Sequence, residues 1–488
     1  MFDVASMQIS RILPEMILIG VALVAILMDV ILPKGKSTRG VQGSIVVGLI
    51  VVMAASFFTR ENTGTAFGGM VIVDGFTFFF RMLLTFVTLL IVMVSERYIE
   101  GLRIRIAEYY LLLVFSLFGM LLMVMAQDLL IIFLGIETMS ISLYALVGMS
   151  RHRQISNEGA IKYFLLGAFT TAFFVYGIAL MFGVAGSTNL VEIANYLRGV
   201  SGSVPMLAWA AAGLIMVGFA FKAALVPFHW WSPDAYEGAP TTITAFMSTA
   251  PKAAAFAAFL RVFYVAFGDM SGSWTMILWW IAVVTMTFGN LLALRQNSVK
   301  RMLAFSSITH AGYLVVALLT FDQMGAAAML FYLAMYAMMN IGAFLVAIAV
   351  NKDENEGKGY SFDDYKGLIW RKPWLALAML VFMLALAGIP PTAGFFGKYY
   401  IFSAAVKSGF VGLAVIGVLN GAASVYYYLR LIVYMFLKER DELNESPSLN
   451  LSPSMIQVIA LCVFLVLLVG LFPDLLLNFA TQSVTVLL

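Results

Sequence analysis

A single cysteine, Cys462, is all the thiol this 488-residue chain contains. It has no partner within the chain for a disulfide, and an iron–sulfur cluster takes several cysteine ligands. Any electron transfer therefore happens in another chain. Histidine is almost as scarce, with three residues, and no pair of them has the spacing of a haem or metal site. Charge is short as well: 11% of residues are charged and 62% hydrophobic, where soluble proteins average about 25% and roughly 45–50%. That balance excludes a soluble globular enzyme. The formal charge of +3 and the scattering of basic residues through loops exclude the basic stripe of a nucleic-acid-binding protein. No glycine-rich dinucleotide fingerprint follows a strand pattern, and no linker or low-complexity tract divides the chain.

What the chain has in abundance is long apolar runs. Fourteen can be read, at 12–32, 41–59, 75–95, 107–126, 129–149, 159–183, 206–230, 241–267, 274–294, 299–320, 325–350, 373–406, 409–437 and 454–473. Each is near or above the roughly 20 residues that span a bilayer as a helix. Membrane β-strands need only about ten residues, alternating in polarity, so a barrel is excluded. The first run carries Glu15 and Asp29 near its ends and is too long for a signal-peptide core, so it reads as a retained helix. The fold class expected is an all-α polytopic membrane protein of about 14 transmembrane helices.

Orientation follows from Lys and Arg in alternate loops. Eighteen fall on one side, among them Lys34, Lys36, Arg103, Arg105, Arg151, Arg153, Lys300, Arg301, Lys352, Lys358, Lys366 and Arg440. Four fall on the other: Arg11, Arg60, Arg198 and Lys407. The positive-inside rule puts the first set in the cytoplasm and both termini outside.

With Lys300 and Arg301, at the start of the tenth run, counted to the loop before it, seven basic residues remain inside the runs. A cation at a helix centre costs about 2.5–3.5 kcal/mol even on the lenient insertion scale, so each needs a reason. Arg81, Arg261 and Arg430 lie near span ends and read as snorkelling or structurally paired. Lys162 sits about one turn inside span six, where snorkelling and a proton path are both open. Lys222, Lys252 and Lys398 lie deep. All three are lysine, whose proton can be lost on desolvation, whereas guanidinium stays charged. Glu137 interrupts the fifth run and is an available acidic partner. Moving such a pair apart would release a proton. Against about 150 mV a proton needs roughly 3.5 kcal/mol, equivalent to an about 300-fold change in a lysine's proton affinity. Breaking one low-dielectric ion pair is of that order.

Helix breakers accompany two of the three. Pro227 follows Lys222, and Gly388, Pro390, Pro391, Gly394 and Gly397 precede Lys398, so spans seven and twelve are expected to be discontinuous. Interrupted helices in matching positions of two halves point to a transporter's ion site. Lys222 and Lys398 are 176 residues apart, and a similar offset from Glu137 reaches His310. Five spans separate each pair, and an odd number inverts the second unit. The expected organisation is helices 1–3 in 1–106, one repeat in 107–267 (spans 4–8), its inverted partner in 268–437 (spans 9–13), and a last helix in 438–488. His310 is either a satisfied core histidine or a proton carrier. His229 lies at the broken end of span seven beside Trp230 and Trp231, which read as an interfacial aromatic belt.

The stretches FKAALVPFHWWSPDAYEGAPTTITAFMSTAPKAAAF, SVKRMLAFSSITHAGY and LAGIPPTAGFFGKYYIF resemble the antiporter-like membrane subunits of respiratory complex I, over spans four to thirteen. Within that family the chain is most similar to the subunit N branch. The resemblance implies a proton-translocating subunit with two inverted five-helix repeats, coupled to electron transfer from NADH to quinone in other subunits. It implies that Glu137 and Lys222 are the acid–lysine pair, Lys252 the central connecting lysine, and Lys398 the lysine facing the outer half-channel. Lys162 matches a further lysine of the branch, and His310 is the family's less constant position. Subunit M relatives carry glutamate where Lys398 stands, and subunit L relatives carry a long lateral helix where about fifteen residues follow Phe472. By the same resemblance no cofactor is expected in this chain. NADH, FMN, iron–sulfur clusters and quinone belong to partner subunits, and the nearest partners are subunits M, J and K in a bacterial cytoplasmic membrane. The rival readings are a subunit of a cation/proton antiporter or membrane-bound hydrogenase, a stand-alone solute transporter, and a structural spacer.

Overall fold

The computed structural model describes residues 7–32, 37–102, 104, 106–200, 204–351, 359–439 and 451–487. Lys34, Lys36, Arg103, Arg105, Lys352, Lys358 and Arg440, all used in reading the orientation, lie outside the described residues, as do residues 352–358 of the charged 351–372 loop. Helices dominate. The first half runs α1 (Leu13–Ile31), α2 (Ser37–Phe58), α3 (Gly75–Gly101), α4 (Ile106–Met125), α5 (Leu129–Val147), α6 (Gln154–Ala185), α7 (Leu190–Gly199), α8 (Met206–Lys222), α9 (Trp231–Gly238), α10 (Thr241–Met247) and α11 (Ala250–Val265). The second half runs α12 (Ser271–Leu294), α13 (Val299–Leu319), α14 (Gln323–Val350), α15 (Leu368–Arg371), α16 (Pro373–Ala387), α17 (Ala393–Lys407), α18 (Val411–Phe436), α19 (Pro453–Leu471) and α20 (Asp474–Val484). One small antiparallel hairpin, β1 (Gly64–Ala66) with β2 (Val71–Val73), pairs Gly64 with Val73.

Among the described residues twelve helical segments are long and apolar enough to cross a membrane, taking α10 and α11 as one. Two further apolar helices, α8 and α16, are shorter, at 17 and 15 residues. They are the leading parts of the two runs expected to be broken. Local sequence sets the boundaries. Asp128, Ser298, Asp322 and Ser452 accept backbone N–H bonds at the starts of α5, α13, α14 and α19, the usual role of short polar side chains at a helix N-terminus. Pro14, Pro251, Pro373 and Pro453 occupy first turns, where their missing N–H costs nothing.

The interior is built around α10, α11, α13 and α14, which are covered on all sides, whereas α1, α2, α6, α12 and α19 turn most of their surface outward. Without a strong hydrophobic drive between helices in lipid, close packing of small residues holds them together. Gly119 and Gly135 do this for α4 and α5: a Cβ on Gly119 would lie 2.5 Å from Met139 N. Two buried ion pairs fasten helices across the bundle. Arg81 on α3 donates to both Glu15 oxygens on α1, at 2.6 and 2.8 Å. Arg261 on α11 does the same to Asp74, at 2.8 and 3.0 Å. Arg430 donates to Gln296 O and Asn297 Oδ1 and stacks over Phe362. All three arginines are thus structurally paired.

The structure corrects the sequence reading at two places. Lys300 is not a loop cation: it lies in the first turn of α13, 2% exposed, and donates to Ala239 O at 2.7 Å. Span eight, expected to be continuous, is interrupted between Met247 and Ala250. Pro251 has no N–H to offer Met247 O, and the Tyr236 hydroxyl takes that carbonyl at 3.2 Å. The Ser248 and Thr249 hydroxyls turn back onto Ala245 O and Phe246 O, and Thr249 leaves the helical region at φ −121°, ψ −84°.

Candidate functional site

Each of the three deep lysines stands at a helix break or reaches across one. Lys222 is the last residue of α8, and Ala224, two residues on, has φ +57°, a conformation a side chain adopts only when its surroundings force it. The Lys222 ammonium donates to Ser140 Oγ at 2.8 Å and Tyr144 OH at 3.4 Å, both on α5. It also faces the rings of Phe221 and Tyr144 at 5.3 and 5.7 Å. A helix C-terminus carries the negative end of the macrodipole, which suits a cation there.

Glu137 lies one turn before Ser140 on the same face of α5. It forms no ion pair with Lys222 among the described residues; its Oε1 accepts from Thr171 Oγ1 on α6 at 2.8 Å. Thr171 and Lys222 line one small cavity with about 10 Å³ open to water, room for about one molecule. The acid and the lysine are neighbours separated by hydroxyls and a water-sized space.

Lys252 is the third residue of α11, just past the third break. It donates to Ser307 O at 2.7 Å and to Ser307 Oγ, with the Tyr336 ring 6.0 Å away. His310, one turn beyond Ser307 on α13, is fully enclosed. Its Nδ1 bonds to Tyr332 OH and its Nε2 to Tyr428 OH at 2.9 Å. Tyr428 OH also bonds to Ser306 Oγ. The rings of Tyr336 and Tyr313 flank the imidazole at 5.1 and 5.5 Å.

Lys398 is on α17 and reaches back over its break. Its ammonium donates to Leu386 O and Ala387 O, both at 2.9 Å, the carbonyls left open where α16 ends at Gly388, φ +85°. The Tyr313 ring stands 5.2 Å from the same ammonium. Gly397 beside it lets Tyr332 close in, since a Cβ there would lie 2.4 Å from Tyr332 Cδ2. Ser307, Tyr336, His310 and Tyr313 therefore form a contiguous polar and aromatic line from Lys252 to Lys398.

Lys162 is set apart. It lies about two turns inside α6, not one, and its side chain is 42% exposed, paired with Glu158 at 2.6 Å and Asp234 at 2.7 Å. The tyrosines and serines of the line were missed by reading charges alone. The spacing of Glu137, Ser140 and Tyr144, all on one helical face, was the available signal.

Residues 126–424, which hold all of these groups except Tyr428, match the protein family described as NADH:quinone oxidoreductase/Mrp antiporter, TM. NADH-quinone oxidoreductase subunit N of Trichlorobacter lovleyi is 44% identical over 98% of this chain and 97% of its own. The chain belongs to the NADH-quinone oxidoreductase subunit N family. Another subunit N, from Chloroflexus aggregans, is 40% identical over 97% of this chain and 96% of its own. Among solved structures, a chain of respiratory complex I from Thermus thermophilus with bound aureothin superposes with a TM-score of 0.81 at 36% identity, covering 96% of this chain and 99% of that one. A chain of the Mrp complex from Dietzia sp. superposes with a TM-score of 0.85 at 20% identity, covering 98% and 97%, which shows that the fold is shared beyond the subunit N family. Within that family the breaks and buried lysines belong to an antiporter-like membrane subunit.

Proposed function

We infer that this chain is a proton-translocating membrane-arm subunit of a bacterial NADH:quinone oxidoreductase, and that Glu137, Lys222, Lys252, His310 and Lys398 carry the proton. The observation that carries the reading is that all three deep lysines meet helix breaks, each ammonium held there by hydroxyls or open carbonyls, in a family of complex I membrane subunits. A lysine so held has acceptors for its charged form and loses them when a break shifts. Lys222 takes the proton from the side that the basic loops assign to the cytoplasm, with Glu137 and the intervening water-sized cavity setting its affinity. Lys252 passes it along Ser307 and His310, whose two ring nitrogens each have a tyrosine hydroxyl and so can accept on one side and donate on the other. Lys398 releases it outward. Lys162 belongs to the mouth of this path.

NADH, FMN, iron–sulfur clusters and quinone are bound by partner subunits in this reading, with subunits M, J and K as neighbours. The matched breaks after Lys222 and before Lys398 support two inverted repeats in 107–267 and 268–437. Counting α8 with its continuation, and α16 with α17, as one crossing each beside the twelve long helices supports fourteen crossings, an even number that keeps both termini on one side; the outer side is the reading from the basic loops.

The test is Lys222→Ala in the whole complex, in inverted membrane vesicles, with protons moved per electron pair as the readout. A large loss is expected. An unchanged ratio with normal assembly overturns the reading. Isolation on a native gel separates the rival antiporter assembly, which brings no flavin or iron–sulfur subunit with it.

A further inference from the structure

Lys222 and the charged surface nearest to it are separated by a short helix and one pair of stacked rings. α9 begins with Trp231, 3% exposed. Its indole N–H donates at 3.0 Å to Phe221 O, the carbonyl just before Lys222. Its ring lies flat on Tyr163 of α6, with centroids 4.2 Å apart and planes at 11°. Tyr163, 2% exposed, meets Tyr144 edge-on at 4.6 Å, and Tyr144 OH is one of the Lys222 acceptors. Rings from three helices thus close one side of the lysine.

The other flank of the same elements is ionic. Lys162, the neighbour of Tyr163, pairs with Asp234 of α9. Arg301 of α13 reaches both Asp234, at 3.3 Å, and Glu237, and Lys300 donates to Ala239 O just past the end of α9. α9 is therefore tied to α13 at three places while its first residue seals Lys222. Asp234, Glu237 and Arg301 are each about one-third exposed, so the cluster is in reach of water and the rings behind it are not.

We propose that the Tyr163–Trp231 stack is the barrier between Lys222 and the aqueous side, and that Arg301, through Asp234 and Glu237, positions α9 so that the barrier stays closed. A proton reaches Lys222 only when these rings part. A barrier that no longer closes lets a loaded proton return the way it came, so translocation per electron falls without loss of the lysine. The inference rests on the proton path through Lys222 proposed above.

Accessibility tests it directly. Cys462 is the chain's one cysteine and is buried, so a Cys462→Ser background gives a clean chain for Ala223→Cys, a buried position beside Lys222. The intact complex in inverted vesicles is treated with a membrane-impermeant thiol reagent, and labelling of this chain is read by mass spectrometry. Adding Arg301→Gln, which removes charge-assisted hydrogen bonds, or Trp231→Leu, which removes the stacked ring, is expected to speed labelling about tenfold. Trp231→Phe, which keeps the stack, stays near the parent rate. In chains without Ala223→Cys, Trp231→Leu lowers protons per electron pair towards the Lys222→Ala value. Should Trp231→Leu not assemble, Arg301→Gln carries the labelling test. Equal labelling in all variants overturns the barrier. If Lys222→Ala itself leaves the ratio intact, the failure belongs to the proton path; if it lowers the ratio while Trp231→Leu and Arg301→Gln match the parent, it belongs to the barrier alone.

Discussion

Replacing Ser140 by alanine removes the one short acceptor of the Lys222 ammonium. The hydroxyl lies at 2.8 Å, while the remaining acceptor, Tyr144 OH, is at 3.4 Å, near the limit of a hydrogen bond. A hydrogen bond to a buried charge contributes about 1.5–3 kcal/mol, and the two rings left facing the ammonium supply only about 0.5–1 kcal/mol each. A proton moved against about 150 mV needs roughly 3.5 kcal/mol. The substitution therefore takes away between somewhat under half and most of what one proton's passage requires. Translocation through Lys222 should slow about tenfold or more. The helix itself is spared, because the other bond of Ser140 is to Ile136 O, within α5. The assay is dye-reported proton uptake and NADH oxidation in inverted vesicles, repeated as the membrane potential is raised. The deficit should widen with potential, and Ser140→Thr, which keeps a hydroxyl, should restore uptake. If Ser140→Ala reaches the same steady gradient and the same protons per electron pair as the parent at full potential, the hydrogen-bond argument for Lys222 is wrong.

Two other consequences can be checked with single substitutions. Asp74→Asn leaves the Arg261 guanidinium buried without its counter-charge while an amide can still cap α3; a loss of about 3–5 kcal/mol is expected, seen as earlier thermal release of the chain from the detergent-solubilised complex, and an unchanged melting profile would count against the pair's structural role. Gly397→Ala puts a Cβ 2.4 Å from Tyr332 Cδ2, overpacking of about 1–3 kcal/mol that pushes the tyrosine off His310. Protons per electron pair should fall. Gly421→Ala is the control, since its Cβ would meet nothing nearer than Tyr313 OH at 4.0 Å, and equal ratios in the two variants would remove Tyr332 from the path.

The membrane class, the run boundaries and the two large breaks were legible because each depends on composition over many residues or on prolines and glycines with fixed backbone consequences. The break before Lys252 was not. Pro251 alone reads as an ordinary first-turn proline, and the interruption depends on a Tyr236 hydroxyl from another helix taking a carbonyl that the local sequence leaves open. Lys300 was misread for a similar reason: it stands where a loop ends, and only the arrival of Ala239 O, just past the end of α9, turns it inward. Glu137 and Lys222 were paired by charge, yet a charge count cannot reveal that Ser140 and Thr171 stand between them as the actual partners. For Arg81, Arg261 and Arg430 the sequence left snorkelling and structural pairing open, and the structure pairs all three with side chains or backbone.

The third break gives the three lysines a common logic that no one of them shows alone. Lys222 ends a helix and Lys398 bonds to the last carbonyls of one, so both meet the negative end of a helix dipole, where a cation is favoured. Lys252 instead lies in the first turn of α11, the positive end, and depends on Ser307 for its acceptors. On the proton path proposed above, the two terminal sites thus favour the charged lysine and the middle site favours it less. That alternation suits a carrier chain: a proton resting at either end meets a less favourable station between, and does not equilibrate freely across the molecule. A uniform line of well-stabilised lysines would store three charges and move none.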